Sequence, residues 1–176
     1  MKHLETENMI LLPCDRKLLE AAEKGEQELE RFLEIKFAAH WTSFGTNMFK
    51  YALDLLGSDP DQEGWLTYLP LHKKDRLIIG TGGYKGKPGI EGNVEIGYEI
   101  APGYRNRGLA TEMAKALVDN AFSFEKVKCV LAHTLKEGKA SAKVLRRCGF
   151  ASTGEFVDPE DGPVFRWELG RPGIGQ

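Results

Sequence analysis

The residues with the most chemistry to offer lie in the run Arg105-Asn106-Arg107-Gly108-Leu109-Ala110-Thr111. Ahead of it, Val94, Ile96, Tyr98 and Ile100 alternate with Glu95, Gly97 and Glu99, the period of two expected of a strand. Pro102 and Gly103 stop that strand. Beyond Gly108 the period changes: Leu109, Met113, Ala116, Leu117, Asn120, Ala121 and Phe124 recur every three or four positions, so one helix face is mostly apolar. A helix leaves its first backbone N–H groups unbonded, at the positive end of its dipole, and a strand feeding it through a glycine turn makes a phosphate site of them. The spacing Arg105-x-x-Gly108-x-Ala110 thus predicts a pyrophosphate held by the amides from Arg107 to Thr111. Gly108 and Ala110 are small enough to let it come close, and Arg105 and Arg107 either add charge or stand in solvent.

Other patterns carry less. Gly80-Thr81-Gly82-Gly83 lacks the third glycine of a dinucleotide fingerprint, which is Lys85, and no helix follows it. These glycines fit close backbone approach within a strand. Gly86-Lys87 precedes Pro88 where a Walker A loop needs Ser or Thr. The histidines (His3, His40, His72, His133) show no metal-ligand spacing. The three cysteines are widely spaced with no C-x-x-C, and read as reduced thiols of a cytosolic protein.

The elements that must position the turn follow from the rest of the chain. Residues 9–12 read as a strand closed by Pro13, and Asp15 caps a helical pattern over 16–34 that Gly25 is placed to split. Residues 37–45, with His40, Trp41 and Phe44, either fill the core or line a pocket. Thr46 is suited to cap a helix over 47–56, ended by Gly57, and 58–64 is a loop. Strands are predicted over 65–71 and 77–84, joined by a polar turn. Cys129-Val130-Leu131-Ala132 marks 127–134 as a strand covered on both faces, so 93–134 forms a right-handed βαβ unit with parallel strands. A short helix over 139–147 stops at Gly149, and strands over 150–157 and 164–169 close antiparallel about the acidic turn 158–162. A chain of 176 residues, 41% apolar and 28% charged, suits one globular domain over 1–176. The net charge of −2 argues against broad attraction to nucleic acid or anionic membrane. The start lacks the apolar run of a signal peptide and no segment is apolar enough to span a bilayer, so a cytoplasmic protein is expected.

The runs V-E-I-G-Y-E-I-A-P-G-Y-R-N-R-G-L-A-T-E and A-S-A-K-V-L-R-R-C-G-F resemble the GNAT superfamily of acetyl-CoA-dependent N-acetyltransferases, and within it the branch of ribosomal-protein N-terminal acetyltransferases. The likeness follows element order from about Asn8 to Leu169 and is sharp over 93–150. It implies an α/β (α+β) domain whose mixed sheet of six to seven strands, flanked by four helices, is splayed between 93–100 and 127–134. The pantetheine arm of acetyl-CoA would lie in that gap against the backbone of Glu99, Ile100 and Ala101. The pyrophosphate would sit on Arg105, Asn106, Arg107, Gly108, Leu109, Ala110 and Thr111. Where the branch carries an Asn-x-x-Ser unit at the next helix, this chain has Gly138 and Ser141, so one side-chain contact to the cofactor is missing. Where many relatives carry a tyrosine as proton donor to the leaving thiolate, this chain has Leu145, and Ser141 or a water is the substitute.

Glu95, off the apolar phase of a central strand, is the leading base, partial burial being able to raise a carboxylate toward the working range; a structurally paired glutamate is the alternative. His133 reads as a core histidine beside the gap rather than a catalyst. The reaction implied is direct acetyl transfer to a primary amine, the amine attacking the thioester while a strand N–H near Ile100 stabilises the oxyanion. The acceptor is expected to be a peptide or protein N-terminus. A polyamine or aminoglycoside is the first alternative and a non-catalytic acyl-CoA sensor the second. No nucleic acid, membrane or metal partner is expected, and a homodimer is compatible with the sequence.

Overall fold

The computed structural model describes residues 2–45, 47–158 and 162–173. Among them β1 (Leu4–Glu5), β2 (Met9–Pro13), α1 (Arg16–Glu23), α2 (Glu26–Leu33), β3 (Lys36–Phe37) and α3 (Asn47–Ser58) come first. Next are β4 (Thr67–His72), β5 (Leu77–Ile78), β6 (Gly80–Tyr84), β7 (Asn93–Ile100) and α4 (Leu109–Phe122). The chain closes with β8 (Cys129–Leu135), α5 (Lys139–Arg147), β9 (Ala151–Asp158) and β10 (Gly162–Gly170). The Asp15 carboxylate accepts from the Leu18 N–H at 2.9 Å and caps α1, while Gly25 divides the 16–34 pattern into α1 and α2. Thr46 and residues 159–161 of the acidic turn lie outside the described residues.

The strands run β1-β2-β4-β6-β7-β8-β10-β9, with β5 beside β4 and β3 beside β5. β7–β8 and β3–β5 pair parallel and the other neighbours antiparallel. The mixed α/β class is as expected, but the described residues hold ten strands and five helices rather than six to seven and four. The additional strands, β1, β3 and β5, have two residues each, too few to leave a period in the sequence. The predicted strand over 77–84 is two strands, β5 and β6, because Ile79 lies between their pairings.

β8 corrects a second expectation. It is not covered on both faces: Val130, Ala132 and Thr134 are buried, whereas Cys129, Leu131 and His133 are only partly so. The buried phase faces the layer of α4 and α5. Val94, Ile96 and Ile100 of β7 share that phase and pack in the core with Leu109, Met113 and Leu117 of α4. Asn120, polar on an otherwise apolar face, donates to the Tyr84 hydroxyl at 2.8 Å, and that hydroxyl donates to the Leu117 carbonyl at 2.6 Å. The other phase of β7 meets the segment before α3, where the Glu99 carboxylate accepts from Thr42 Oγ1 at 3.2 Å and from the Ser43 N–H at 3.0 Å. Trp41 is buried against Phe37 and Phe49. Residues of this segment also line a hollow of about 280 Å³ bounded by Glu26, His40, Thr42 and Phe49, so 37–45 both fills core and lines a pocket.

The glycines of β6 are packed as the sequence implies. A Cβ on Gly80 would stand 2.0 Å from the Glu99 carbonyl oxygen, and one on Gly82 would stand 2.7 Å from Met113 Sδ. At Gly80, strand β6 therefore lies closer to β7 than a side chain would allow, and at Gly82 it presses on the adaptable end of Met113.

Candidate active site

β7 and β8 pair only at Asn93, Val94 and Glu95, opposite Cys129, Val130 and Leu131. Beyond Glu95 the strands part: β7 continues to Ile100 beside β6, and β8 to Leu135 beside β10. A cleft thus opens between two parallel strands, with Glu95 at its apex. Antiparallel strands point alternate residues' backbone groups to alternate sides. The Ala101 N–H donates to the Ile79 carbonyl at 2.7 Å, so the backbone of Glu99 and Ala101 is turned toward β6. Of Glu99, Ile100 and Ala101, expected to lie along the ligand's arm, two thus spend backbone groups on β6. Of the three, the alternation leaves Ile100 facing the cleft, with Tyr98 before it. The Ile100 carbonyl already accepts from Arg105 Nε at 2.9 Å, which fixes Arg105 across the cleft mouth.

The turn from β7 to α4 keeps its amides open. Residues 102–104 make one 3-10 turn, after which Asn106 and Gly108 adopt positive φ of 62° and 82°. Gly108 is the N-cap of α4 and no side chain caps the helix. The first helical hydrogen bond is donated by the Glu112 N–H to the Gly108 carbonyl at 3.0 Å. Consequently the backbone N–H groups of Asn106, Arg107, Gly108, Leu109, Ala110 and Thr111 find no acceptor among the described residues. Unclaimed donors at a helix start suit an anion. Glu112, an acidic residue in that first turn, is drawn away: its carboxylate accepts from the Asn8 N–H at 2.7 Å, from Asn8 Nδ2 at 2.9 Å and from Thr6 Oγ1 at 2.5 Å. Burial raises its pKa, but these hydrogen bonds outweigh burial and hold it below the usual glutamate value. The Arg107 guanidinium lies 5.0 Å over the Tyr104 ring, and the Tyr104 hydroxyl donates to Asp75 at 2.8 Å.

Across the cleft, α5 starts at Gly138 without a side-chain cap. A Cβ on Gly138 would come 3.0 Å from the Leu135 carbonyl oxygen, a tight contact that the backbone there must ease by a few tenths of an ångström. Gly138 also borders a groove of about 430 Å³ along α5 rimmed by Lys136, Lys139, Lys143 and Arg146, a positive edge suited to a phosphorylated ligand. Ser141 is half-buried and Leu145 is fully buried core, so no proton donor stands at position 145. Sequence reasoning missed Tyr98 as a polar group. Its hydroxyl reaches toward α5, 3.5 Å from the Ser141 carbonyl. Burial first, and Cys148 second, push its pKa above the usual phenol value.

At the apex, Glu95 Oε1 lies 2.6 Å from Lys85 Nζ and 3.0 Å from His133 Nδ1. That oxygen is closed off from solvent, yet neither approach has the angle of a good hydrogen bond. His133 is thus not an isolated core histidine: it shares the Glu95 face and is 18% exposed.

The geometry suits the phosphates and the extended arm of acetyl-CoA: six unclaimed amides and a cleft with free strand backbone. The family comparison agrees, since residues 16–151 match the acetyltransferase (GNAT) domain family. A relative, the uncharacterized N-acetyltransferase YjdG of Bacillus subtilis, is 27% identical over 150 residues, covering 84% of this chain and 88% of that protein. Two solved structures share the fold at low identity. RimL, a ribosomal L7/L12 alpha-N-protein acetyltransferase in complex with coenzyme A, superposes with a TM-score of 0.69 at 15% identity, covering 96% of this chain and 98% of that one. A spermidine N-acetyltransferase chimera from Vibrio cholerae and hSSAT gives 0.64 at 16% identity, covering 93% and 96%. The chain thus belongs to the GNAT acetyltransferase family, acyltransferases that use acetyl-CoA.

Proposed function

We propose that this chain acetylates the α-amine of a peptide or protein N-terminus. The observation that carries the reading is the fork at Glu95 beside six unclaimed amides, which gives the acetyl donor a seat and the amine an acidic floor. Acetyl-CoA supplies the acetyl group as a reactive thioester. In this reading Arg105, Asn106, Arg107, Gly108, Leu109, Ala110 and Thr111 hold the diphosphate, while Gly138 and Ser141 close the other side of the cleft. The Ile100 N–H faces the thioester carbonyl as its oxygen gathers charge, and one such donor typically contributes ~10²–10³ in rate. Glu95, Gly97 and Glu99 share the strand phase opposite α4, so a cationic amine meets two carboxylates around a residue with no side chain. Glu95 supplies the carboxylate of the base.

An α-amine favours this floor. At a pKa near ~8 it is about a tenth neutral at pH 7, whereas a lysine near ~10.4 is neutral in roughly one part in 2,500. A likeness to RimL supports a peptide acceptor, and the likeness to the spermidine enzyme keeps a polyamine as the second reading. Thiol release from acetyl-CoA, measured over peptides with free N-termini, polyamines and aminoglycosides, separates them. Turnover highest on peptides is expected. Turnover confined to small amines would replace the acceptor, and tight acetyl-CoA binding without any turnover would make the chain a sensor.

The departing thiolate needs a proton, though not urgently, since thiols titrate near ~8.5. Ser141 is one donor, and Tyr98, kept protonated by burial, is a second. Tyr98→Phe should lower kcat about a hundredfold, at the low end for a proton donor, without changing acetyl-CoA affinity. If Tyr98→Phe turns over at the wild-type rate, the proton comes from Ser141 or water.

A further inference from the structure

We infer that His133, oriented by Glu95, is the group that takes the proton from the acceptor amine. The inference rests on the amine-acetylating reading above and names the base within it. Two strands bring the pair together: Glu95 is the last β7 residue registered with β8, opposite Leu131, and His133 is two residues further along β8 on the same face. Its side chain therefore stands beyond the last paired residues, where the cleft has begun to open. His133 Nδ1 faces Glu95 Oε1 at 3.0 Å, which leaves Nε2 as the ring's free nitrogen. Glu95 itself is poorly placed to act alone, because the same oxygen is also engaged by Lys85 at 2.6 Å.

A carboxylate facing one imidazole nitrogen selects the tautomer with its proton on that nitrogen, and the other then carries the lone pair. Off-angle contacts of this kind are common before substrate binds and tighten when it does. The ring is walled by Phe156, whose centroid lies 5.8 Å away, which holds water off one side. The charged groups around it are Glu95 and Lys85 from the β6–β7 side and, from β10, Arg166, directly opposite His133 in register, with Glu168 2.8 Å from Arg166 Nε. The step balances without a co-reactant. An ammonium N–H bond breaks, the proton goes to His133 Nε2, and the imidazolium so formed is compensated by Glu95, which stays ionised. The freed nitrogen lone pair forms the new bond to the acetyl carbon as the bond to sulfur breaks. The imidazolium then returns its proton to solvent.

The test is the pH dependence of kcat/KM, expressed per concentration of the ammonium form that gives its proton to His133, so that the acceptor's own titration drops out. Wild type should show an acid limb that belongs to the His133 imidazole. His133→Gln should lose the limb and at least a hundredfold in rate, with acetyl-CoA affinity by calorimetry unchanged. Glu95→Gln should keep the limb and lower the rate, since the ring loses the carboxylate that orients it. An unaltered limb in His133→Gln overturns the inference, as does a limb abolished by Glu95→Gln but not by His133→Gln. Should His133→Gln fail to fold, the ring proton of His133 followed by NMR in wild type decides instead: its midpoint must coincide with the kinetic limb in the acetyl-CoA complex, and a midpoint elsewhere excludes it. A wild-type protein that binds acetyl-CoA yet acetylates no amine would sink the broader reading; turnover with a limb indifferent to His133 sinks only this one.

Discussion

Gly108→Glu should abolish acetyl-CoA binding while leaving the protein folded. Gly108 is the N-cap of α4, with φ of 82° and nothing within 4 Å of where its Cβ would be. A glutamate there meets no steric obstacle, and its carboxylate falls among the amides from Asn106 to Thr111 that have no partner among the described residues. The helix start would welcome that charge, which is the difficulty: the side chain occupies the site the diphosphate needs and repels what it does not displace. One unit charge about 4 Å from another is worth ~4 kcal/mol near a protein surface, or about a thousandfold in affinity. The left-handed backbone costs a non-glycine residue about 1 kcal/mol, and Gly108→Ala measures that cost without the charge. Calorimetry should therefore find near-normal affinity in Gly108→Ala and none in Gly108→Glu, with melting temperatures a few degrees apart. Equal affinity in the two variants would take the diphosphate away from this turn.

The turn is legible in the amino-acid sequence because its signal is local. A change of period from two to 3.6 across a glycine depends on neighbouring residues alone, and it places β7, α4 and the loop between them. The apex of the cleft is not legible in the same way. Glu95 and His133 are 38 positions apart, and nothing in either segment records that the β7–β8 register stops at Glu95 and Leu131. Lys85 is hidden by composition, being one lysine of a loop. Tyr98 is hidden by its own pattern: a residue in phase with Val94 and Ile96 reads as core, and the hydroxyl at the tip of a mostly buried ring leaves no trace in periodicity. Strand β8 misleads for a related reason. Its run of small and apolar residues resembles a doubly covered strand, yet Leu131 and His133 line an open face. Hydrophobicity reports what a residue tolerates, and a partly open ligand cleft tolerates the same side chains as a core.

The other large effect is on stability, and it separates the cleft's architecture from its chemistry. Gly80→Ala should lower the melting temperature by about 10 °C. The added Cβ would stand 2.0 Å from the Glu99 carbonyl oxygen, 3.0 Å from its carbon and 3.1 Å from Ile100 Cα, all backbone atoms that no rotamer change can move. Strands β6 and β7 must separate there, straining the Ala101 to Ile79 hydrogen bond alongside. Overpacking costs about 1–3 kcal/mol where neighbours can yield, and a weakened backbone hydrogen bond adds about 1. Each kcal/mol lowers the melting temperature of a chain this long by about 2–4 °C. Gly82→Ala should cost less, because the atom it meets at 2.7 Å is the sulfur of Met113, the adaptable end of a flexible side chain. Gly97→Ala should change stability by under about 0.5 kcal/mol, since its Cβ meets nothing within 4 Å. Thermal denaturation of the three should therefore rank Gly80, Gly82, Gly97, from most to least damaging. Equal melting temperatures for Gly80→Ala and Gly97→Ala would mean that β6 and β7 are not in this close approach. Gly80→Ala should also weaken acetyl-CoA binding, because β6 is what turns the Ile100 N–H into the cleft, but it does so by moving the strand and so loses stability with affinity. Gly108→Glu loses affinity at only the small stability cost of its left-handed backbone.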